Sequence, residues 1–328
     1  MATRIGMKSR RLMVIGGSGF FGKSFLDAYQ RGRLAPWQVD EVIIVARRAT
    51  DLKTTHPHLL SASVRLVNAD VGHCTELPQA DYVIHAASST DAQRYITHAD
   101  EERANILRSI DNFCHVAARD LRGARILYTS SGAVYGAQPA DIARVQEHYR
   151  PGDVADMEAY KRDYAEAKRM AEQRIAQFGQ AFGVGVTVAR CFAFMGHYLP
   201  RDQHFAIGNF MADGLAGRPV VVKATSPVYR SYMHADDLVD WLMAMVADAQ
   251  PHCPIYNVGS DEAVLMGDLA QLVAARCGVV ADVQALTDNL VNRYVPDIEF
   301  ARHNLGLQLK FDLASGIDEV LGRLRRAD

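Results

Sequence analysis

The 328-residue chain is 49% hydrophobic and 23% charged, and its 36 Lys and Arg against 38 Asp and Glu leave a formal charge of -2. That balance excludes a disordered or fibrous chain, and it provides no net field to gather a nucleic acid or an acidic membrane, so any anion has to be held by local groups. Five scattered cysteines, Cys74, Cys114, Cys191, Cys253 and Cys277, form no C-x-x-C pair, which predicts reduced thiols and no metal centre.

Residues 1–11 read as a short basic tail, because glycines cut the apolar stretch behind it. No apolar run nears the roughly 18 residues of a membrane span, so a cytoplasmic protein without a membrane partner is expected. Residues 11–15 read as a buried strand, followed by Gly16-Gly-Ser-Gly19-Phe-Phe-Gly22 and a helix-compatible run over 23–30. Further strands are predicted at 41–45, 64–67, 81–85, 124–128 and 187–190, and long helices at 104–118 and 160–182. This alternation predicts an α/β fold: a Rossmann-like, doubly wound parallel sheet whose ligand crevice lies at the carboxyl ends of the strands.

Beyond Arg190 the rhythm loosens, with helical patches at 209–215, 238–247 and 269–277 around a strand at 220–222. The expected organisation is a dinucleotide-binding domain over 1–190, completed by part of 228–260, and a smaller mixed α/β substrate lobe over 191–328.

The glycine pattern between a strand and a helix suits a turn in which a pyrophosphate approaches backbone amides at the positive end of the helix. The candidate groups there are Gly16, Gly19, Phe20, Phe21 and Gly22. At the end of the second strand, where an acid usually holds the adenosine ribose, the chain reads Val45-Ala46-Arg47-Arg48. Two guanidinium groups suit a 2′-phosphate, so NADP is preferred over NAD, the alternative being solvated loop charges. Asp70 is placed either to accept from the adenine amine or to form a turn, with Val71 beside it.

A hydroxyl run ends the fifth strand at Ser131, and Tyr164-Ala-Glu-Ala-Lys168 sets a phenol and an ammonium on one helix face. A nearby ammonium is expected to favour the phenolate, letting Tyr164 exchange a proton with a carbonyl or alcohol oxygen while hydride moves at a nicotinamide. Ser131 would hold the same oxygen.

These motifs, with His85-Ala-Ala, Asn105, Thr129-Ser-Ser-Gly-Ala-Val-Tyr-Gly136, Arg190-Cys-Phe, Arg230-Ser-Tyr-Met-His234, Tyr256-Asn-Val-Gly259 and Tyr294-Val-Pro-Asp297, resemble the extended short-chain dehydrogenase/reductases. Within them, the likeness is to the NAD-dependent epimerase/dehydratase family acting on nucleotide sugars. The resemblance implies Ser131, Tyr164 and Lys168 as the catalytic set, with Lys168 also on the nicotinamide ribose and Asn105 supporting Lys168. It implies Ala86 and Ala87 along the cofactor, and Ser88, Ser131, Asn209 and Arg230 on the substrate, Arg230 clamping the diphosphate. Taken alone, Asn209 reads as a helix residue, Asp237 as a helix cap and His85 and His234 as structural. A homodimer through the helices at 104–118 and 160–182 is implied as well.

Three departures narrow the reaction. Sugar 4,6-dehydratases carry Asp-Glu after the catalytic hydroxyl, and the family's decarboxylases keep the glutamate; here the positions are Gly132 and Ala133, which do no acid/base work. Ala193 stands where many relatives have a phosphate-contacting asparagine, and residues 137–159 lengthen the interval between Ser131 and Tyr164, as a lid or as an inert insertion. The expectation is an NAD(P)-dependent oxidoreductase reducing a 4-keto nucleotide sugar. A 4-epimerase with tightly bound NAD and a non-catalytic dinucleotide sensor are the alternatives.

Overall fold

The computed structural model describes residues 9–88, 92–150 and 159–327. Seven strands form the central sheet: β1 (Arg10–Ile15), β2 (Val39–Ala46), β3 (Val64–Asn68), β4 (Tyr82–His85), β5 (Arg125–Ser131), β6 (Gly185–Cys191) and β7 (Ile255–Val258). They lie in the order β7-β6-β5-β4-β1-β2-β3, every neighbouring pair parallel. Strand order reverses between β1 and β4, which places the crevice of this Rossmann-like sheet above Ile15 and His85, paired across that seam.

Both faces of the sheet are covered, as parallel strands require. Leu12 and Val14 point into a core shared with Phe25, Leu26 and the helix Ala235–Ala247. Met13 and Ile15 point into another, closed by the helices Ala99–Asp120 and Ala159–Phe182. Both β7 and the helix Ala235–Ala247 follow Arg190 in sequence, so the chain leaves the sheet after β6 and returns to complete it.

A third core gathers Ile207, Met211, Leu269, Val273, Ile317 and Leu321 from the helices Ala206–Leu215, Met266–Cys277 and Leu313–Ala327. Around it, the strand Val228–Arg230 pairs antiparallel with Val264–Leu265 and parallel with Asn292–Tyr294, setting Tyr294 opposite Arg230. All five cysteines are free thiols. Among the described residues no helix is long and apolar enough to cross a membrane.

The segment expected to be a lid or an inert insertion is, in its described part, bonded to β7 and to residues 295–297. Val145 N donates to Val295 O and its carbonyl accepts from Asp297 N and Asn257 Nδ2, while Gln138 Oε1 accepts from Val295 N. Residues 151–158, and residues 1–8 of the basic tail, lie outside the described residues.

Candidate active site

The glycine turn is set by close backbone approaches. Gly16 has φ +82°, and a Cβ there would sit 2.6 Å from Ala86 O; a Cβ on Gly22 would sit 1.9 Å from Gly17 O. Gly19 differs, because a Cβ there would meet only Gly16 O, at 3.5 Å. It is the N-cap of the helix Phe20–Gln30, with neither a side-chain cap nor an acid in the first turn. The rings of Phe20 and Phe21 pack on one another and on Phe194. What remains for a ligand is the row of first-turn amides that the helix itself does not satisfy, an open cradle that fits a pyrophosphate.

Toward β2 and β3 the expected groups are present with different degrees of engagement. Arg47 and Arg48 are both exposed past the end of β2, and Arg48 lies 3.6 Å from Asp51. Asp70 forms an Asx turn, its Oδ1 accepting from Gly72 N at 2.9 Å. Val71 is buried, and its carbonyl accepts from Asn112 Nδ2 at 2.8 Å. Asn112 also donates to Cys74 O, so one amide on the facing helix shapes the loop where an adenine would lie; a single asparagine mid-helix carries no local signal for that role.

At the ends of β4 and β5 the catalytic candidates converge. Ser131 caps the short turn Gly132–Tyr135 by accepting from Ala133 N at 3.1 Å. Tyr164, on the helix Ala159–Phe182, hydrogen-bonds with the hydroxyls of Ser131 and Ser88, and its ring meets Tyr95 edge-on at 4.9 Å. Ser88 Oγ also lies 3.4 Å from the Tyr95 hydroxyl. Lys168 is buried, its ammonium donating to the Tyr128 hydroxyl at 3.2 Å and to Thr129 O at 3.1 Å and sitting 5.9 Å from the Tyr164 ring centre.

Electrostatics here run against the expected acidification of the phenol. Burial is the largest influence on Tyr164 and pushes its pKa up to about 12, with the Ser131 and Ser88 hydroxyls pulling the other way. Burial likewise brings the Lys168 ammonium down to about 8, opposed by Cys191 and by Glu172 one turn on. A sequence shows the spacing of phenol and ammonium but not that both are enclosed, and burial is the largest influence on each. Tyr164 is therefore a neutral, proton-carrying phenol across the physiological range.

Among the described residues no hydrogen bond joins Asn105 to Lys168. The Asn105 amide oxygen accepts from Arg108 at 3.4 Å, and the support expected of it comes from Tyr128 and Thr129. His85 is buried against Phe113 and Tyr128, with its pKa lowered to about 3 by burial and by Lys168, a structural residue. The cap of the helix Ala235–Ala247 is His234, whose Nδ1 accepts from Asp236 N; Asp237 instead accepts from the amides of Lys310 and Phe311.

On the lobe side, Arg230 forms no ion pair among the described residues; its guanidinium donates to Tyr229 O, and burial lowers its pKa. A partly buried guanidinium with no carboxylate is suited to an arriving anion. Asn209 donates to Gln203 O at 2.7 Å, and its Oδ1 is buried without a partner. Tyr294, for which the sequence suggests no role, brings its hydroxyl 3.4 Å from Ser131 Oγ. At position 132 the missing acid has a steric reason: a Cβ on Gly132 would lie 2.7 Å from the Phe192 ring and 2.8 Å from the Tyr294 hydroxyl.

Residues 12–259 match the NAD dependent epimerase/dehydratase family. The chain is 28% identical over 326 residues to UDP-glucuronic acid decarboxylase 1 of Arabidopsis thaliana, covering 98% of this chain and 71% of that protein. It is 25% identical to UDP-glucuronic acid decarboxylase 1 of Xenopus tropicalis, covering 97% and 72%. Among solved structures, a UDP-glucose 4-epimerase from Thermotoga maritima, crystallised with UDP-glucose, superposes with a TM-score of 0.78 at 17% identity over 97% of this chain and 99% of its own. The NAD complex of the UDP-glucose 4-epimerase from Thermus thermophilus gives 0.77 at 20% identity over 97% and 100%. With the glycine cradle, the Tyr164/Lys168 pair and a family match over most of its length, this chain belongs to the NAD dependent epimerase/dehydratase family.

Proposed function

We propose that the protein is an NAD(P)-dependent oxidoreductase that reduces a 4-keto nucleotide sugar at one carbon. The observation that carries this reading is the convergence of Tyr164, Ser131 and the buried Lys168 at the ends of β4 and β5, in a site where Gly132 and Ala133 stand in place of carboxylates. When bound, a reduced nicotinamide supplies the hydride. Tyr164 gives its proton to the carbonyl oxygen as the alcohol forms, Ser131 holds that oxygen, Lys168 binds the ribose hydroxyls, and Arg230 takes the diphosphate. Arg47 and Arg48 favour NADPH through a 2′-phosphate. The decarboxylase activity named for the Arabidopsis and Xenopus relatives does not extend to this reading, because no carboxylic acid follows Ser131. The same reading places the protein in the cytoplasm, in keeping with its free thiols, and pairs two copies through the helices Ala99–Asp120 and Ala159–Phe182, which light scattering checks directly.

The test is incubation with a panel of nucleotide sugars and their 4-keto forms, with and without NADPH, followed by reduced-nicotinamide absorbance and product NMR. Stoichiometric NADPH loss supports the reductase; isomerisation without added cofactor overturns it in favour of the 4-epimerase. Arg230→Ala is expected to lower kcat/KM for the nucleotide sugar by about 10²-fold, the size of a lost charge-assisted bidentate contact, and an unchanged kcat/KM removes the diphosphate clamp. A pH dependence also follows. Lys168 is cationic below about 8 and loses its charge as pH rises through that value, whereas Tyr164 keeps its proton throughout. kcat/KM for reduction is expected to fall above about pH 8, and Lys168→Met to abolish that limb in a pH-rate profile.

A further inference from the structure

Tyr294 reaches the catalytic serine from the substrate lobe. Its hydroxyl donates to Cys191 O at 3.4 Å and lies 3.4 Å from Ser131 Oγ. A phenol has one proton; turned from the Cys191 carbonyl to Ser131 Oγ, which lies at the same 3.4 Å, that proton is accepted by the serine oxygen. Ser131 Oγ then accepts from Tyr294 on one side and from the Ala133 amide on another, which leaves its own proton for the reacting oxygen.

The placement is fixed from behind. The Tyr294 ring packs on Phe192 at 4.6 Å, the next residue is bonded to Gln138 and Val145, and position 132 admits no side chain while the Tyr294 hydroxyl stands where it does. In the register of the lobe sheet Tyr294 lies opposite Arg230, close enough for the two to act on one another electrostatically. One side chain thus joins the strand that carries the diphosphate clamp to the hydroxyl that holds the reacting oxygen.

We infer that Tyr294 is a positioning residue for Ser131, the contact through which the nucleotide-sugar lobe orients the catalytic hydroxyl toward the reacting carbinol oxygen. This inference rests on the function proposed above. Tyr294→Phe removes one oxygen and keeps the ring. It is expected to lower kcat for keto-sugar reduction on the order of tenfold, the worth of one hydrogen bond made to a transition-state group, with KM for the sugar and the affinity for NADPH unchanged. Because Tyr294 acts through Ser131, the same substitution in a Ser131→Ala background is expected to have no further effect on the residual rate. A wild-type kcat in Tyr294→Phe overturns the inference. So does a second, independent tenfold loss in the double variant, and so does a lowered melting temperature without a kcat change, which marks a packing role. Should the wild-type protein turn over no nucleotide sugar at all, the proposed function fails first and the role of Tyr294 with it; an active wild type with an equally active Tyr294→Phe sinks the role of Tyr294 alone.

Discussion

Tyr164→Phe is expected to lower kcat for reduction by about 10²–10⁴-fold while leaving the dissociation constant of the dinucleotide unchanged. The change removes the phenolic proton together with the hydroxyl's bonds to Ser131 and Ser88. The ring still meets Tyr95 edge-on, Lys168 still bonds Tyr128 and Thr129, and the glycine cradle is untouched. Steady-state kinetics with quenching of protein fluorescence by cofactor separate the two quantities. Retained turnover would take the proton-donor role away from Tyr164, and lost cofactor binding would assign the residue to holding the dinucleotide.

The second large effect is on stability and works through a pair that does no chemistry. Arg190 and Glu172 form a two-pronged ion pair at 2.7 and 3.0 Å, with only 13% and 7% of their side chains exposed. Arg190 also donates to the Tyr135 hydroxyl and to Glu147 O. Glu172→Ala leaves that guanidinium enclosed without a counter-charge, which costs roughly 3–5 kcal/mol in comparable buried pairs. A fall in melting temperature of roughly 5–15 °C by calorimetry is expected. Glu172 also favours the charged form of Lys168. The alkaline limb of the pH-rate profile should therefore move to lower pH in whatever fraction of the variant remains folded; an unmoved limb would show that Lys168 does not depend on this carboxylate.

The sheet was legible in the sequence because parallel strands covered on both faces read as short apolar runs, and the glycine turn because its spacing answers to backbone approaches. The hydroxyl run that ends β5 is part of its ladder, Thr129 to Ser131 pairing with Ala189–Cys191, three residues beyond the apolar run at 124–128. Ser131, Tyr164 and Lys168 were visible as types at a spacing. The direction of the Tyr164 shift was not, since it depends on enclosure by segments far apart in sequence. The same holds for Asn257, fully buried, which accepts from Tyr135 and donates to Val145 O and Asp297 O, and for Tyr294, separated from Ser131 by 163 residues. Their roles arise from chain return, which no local pattern encodes. Asn105 shows the converse: a residue at a matching position whose side chain is occupied elsewhere.

The central claim is that Tyr164 protonates a sugar ketone as hydride arrives from the cofactor at the same carbon. It is tested most directly by turnover of a 4-keto nucleotide sugar with NADPH deuterated at the transferable position, the product being read by NMR. One deuterium at the new carbinol carbon for each cofactor oxidised, lost in Tyr164→Phe, is the predicted result. Product without deuterium, or formed with no net oxidation of the cofactor, would contradict it.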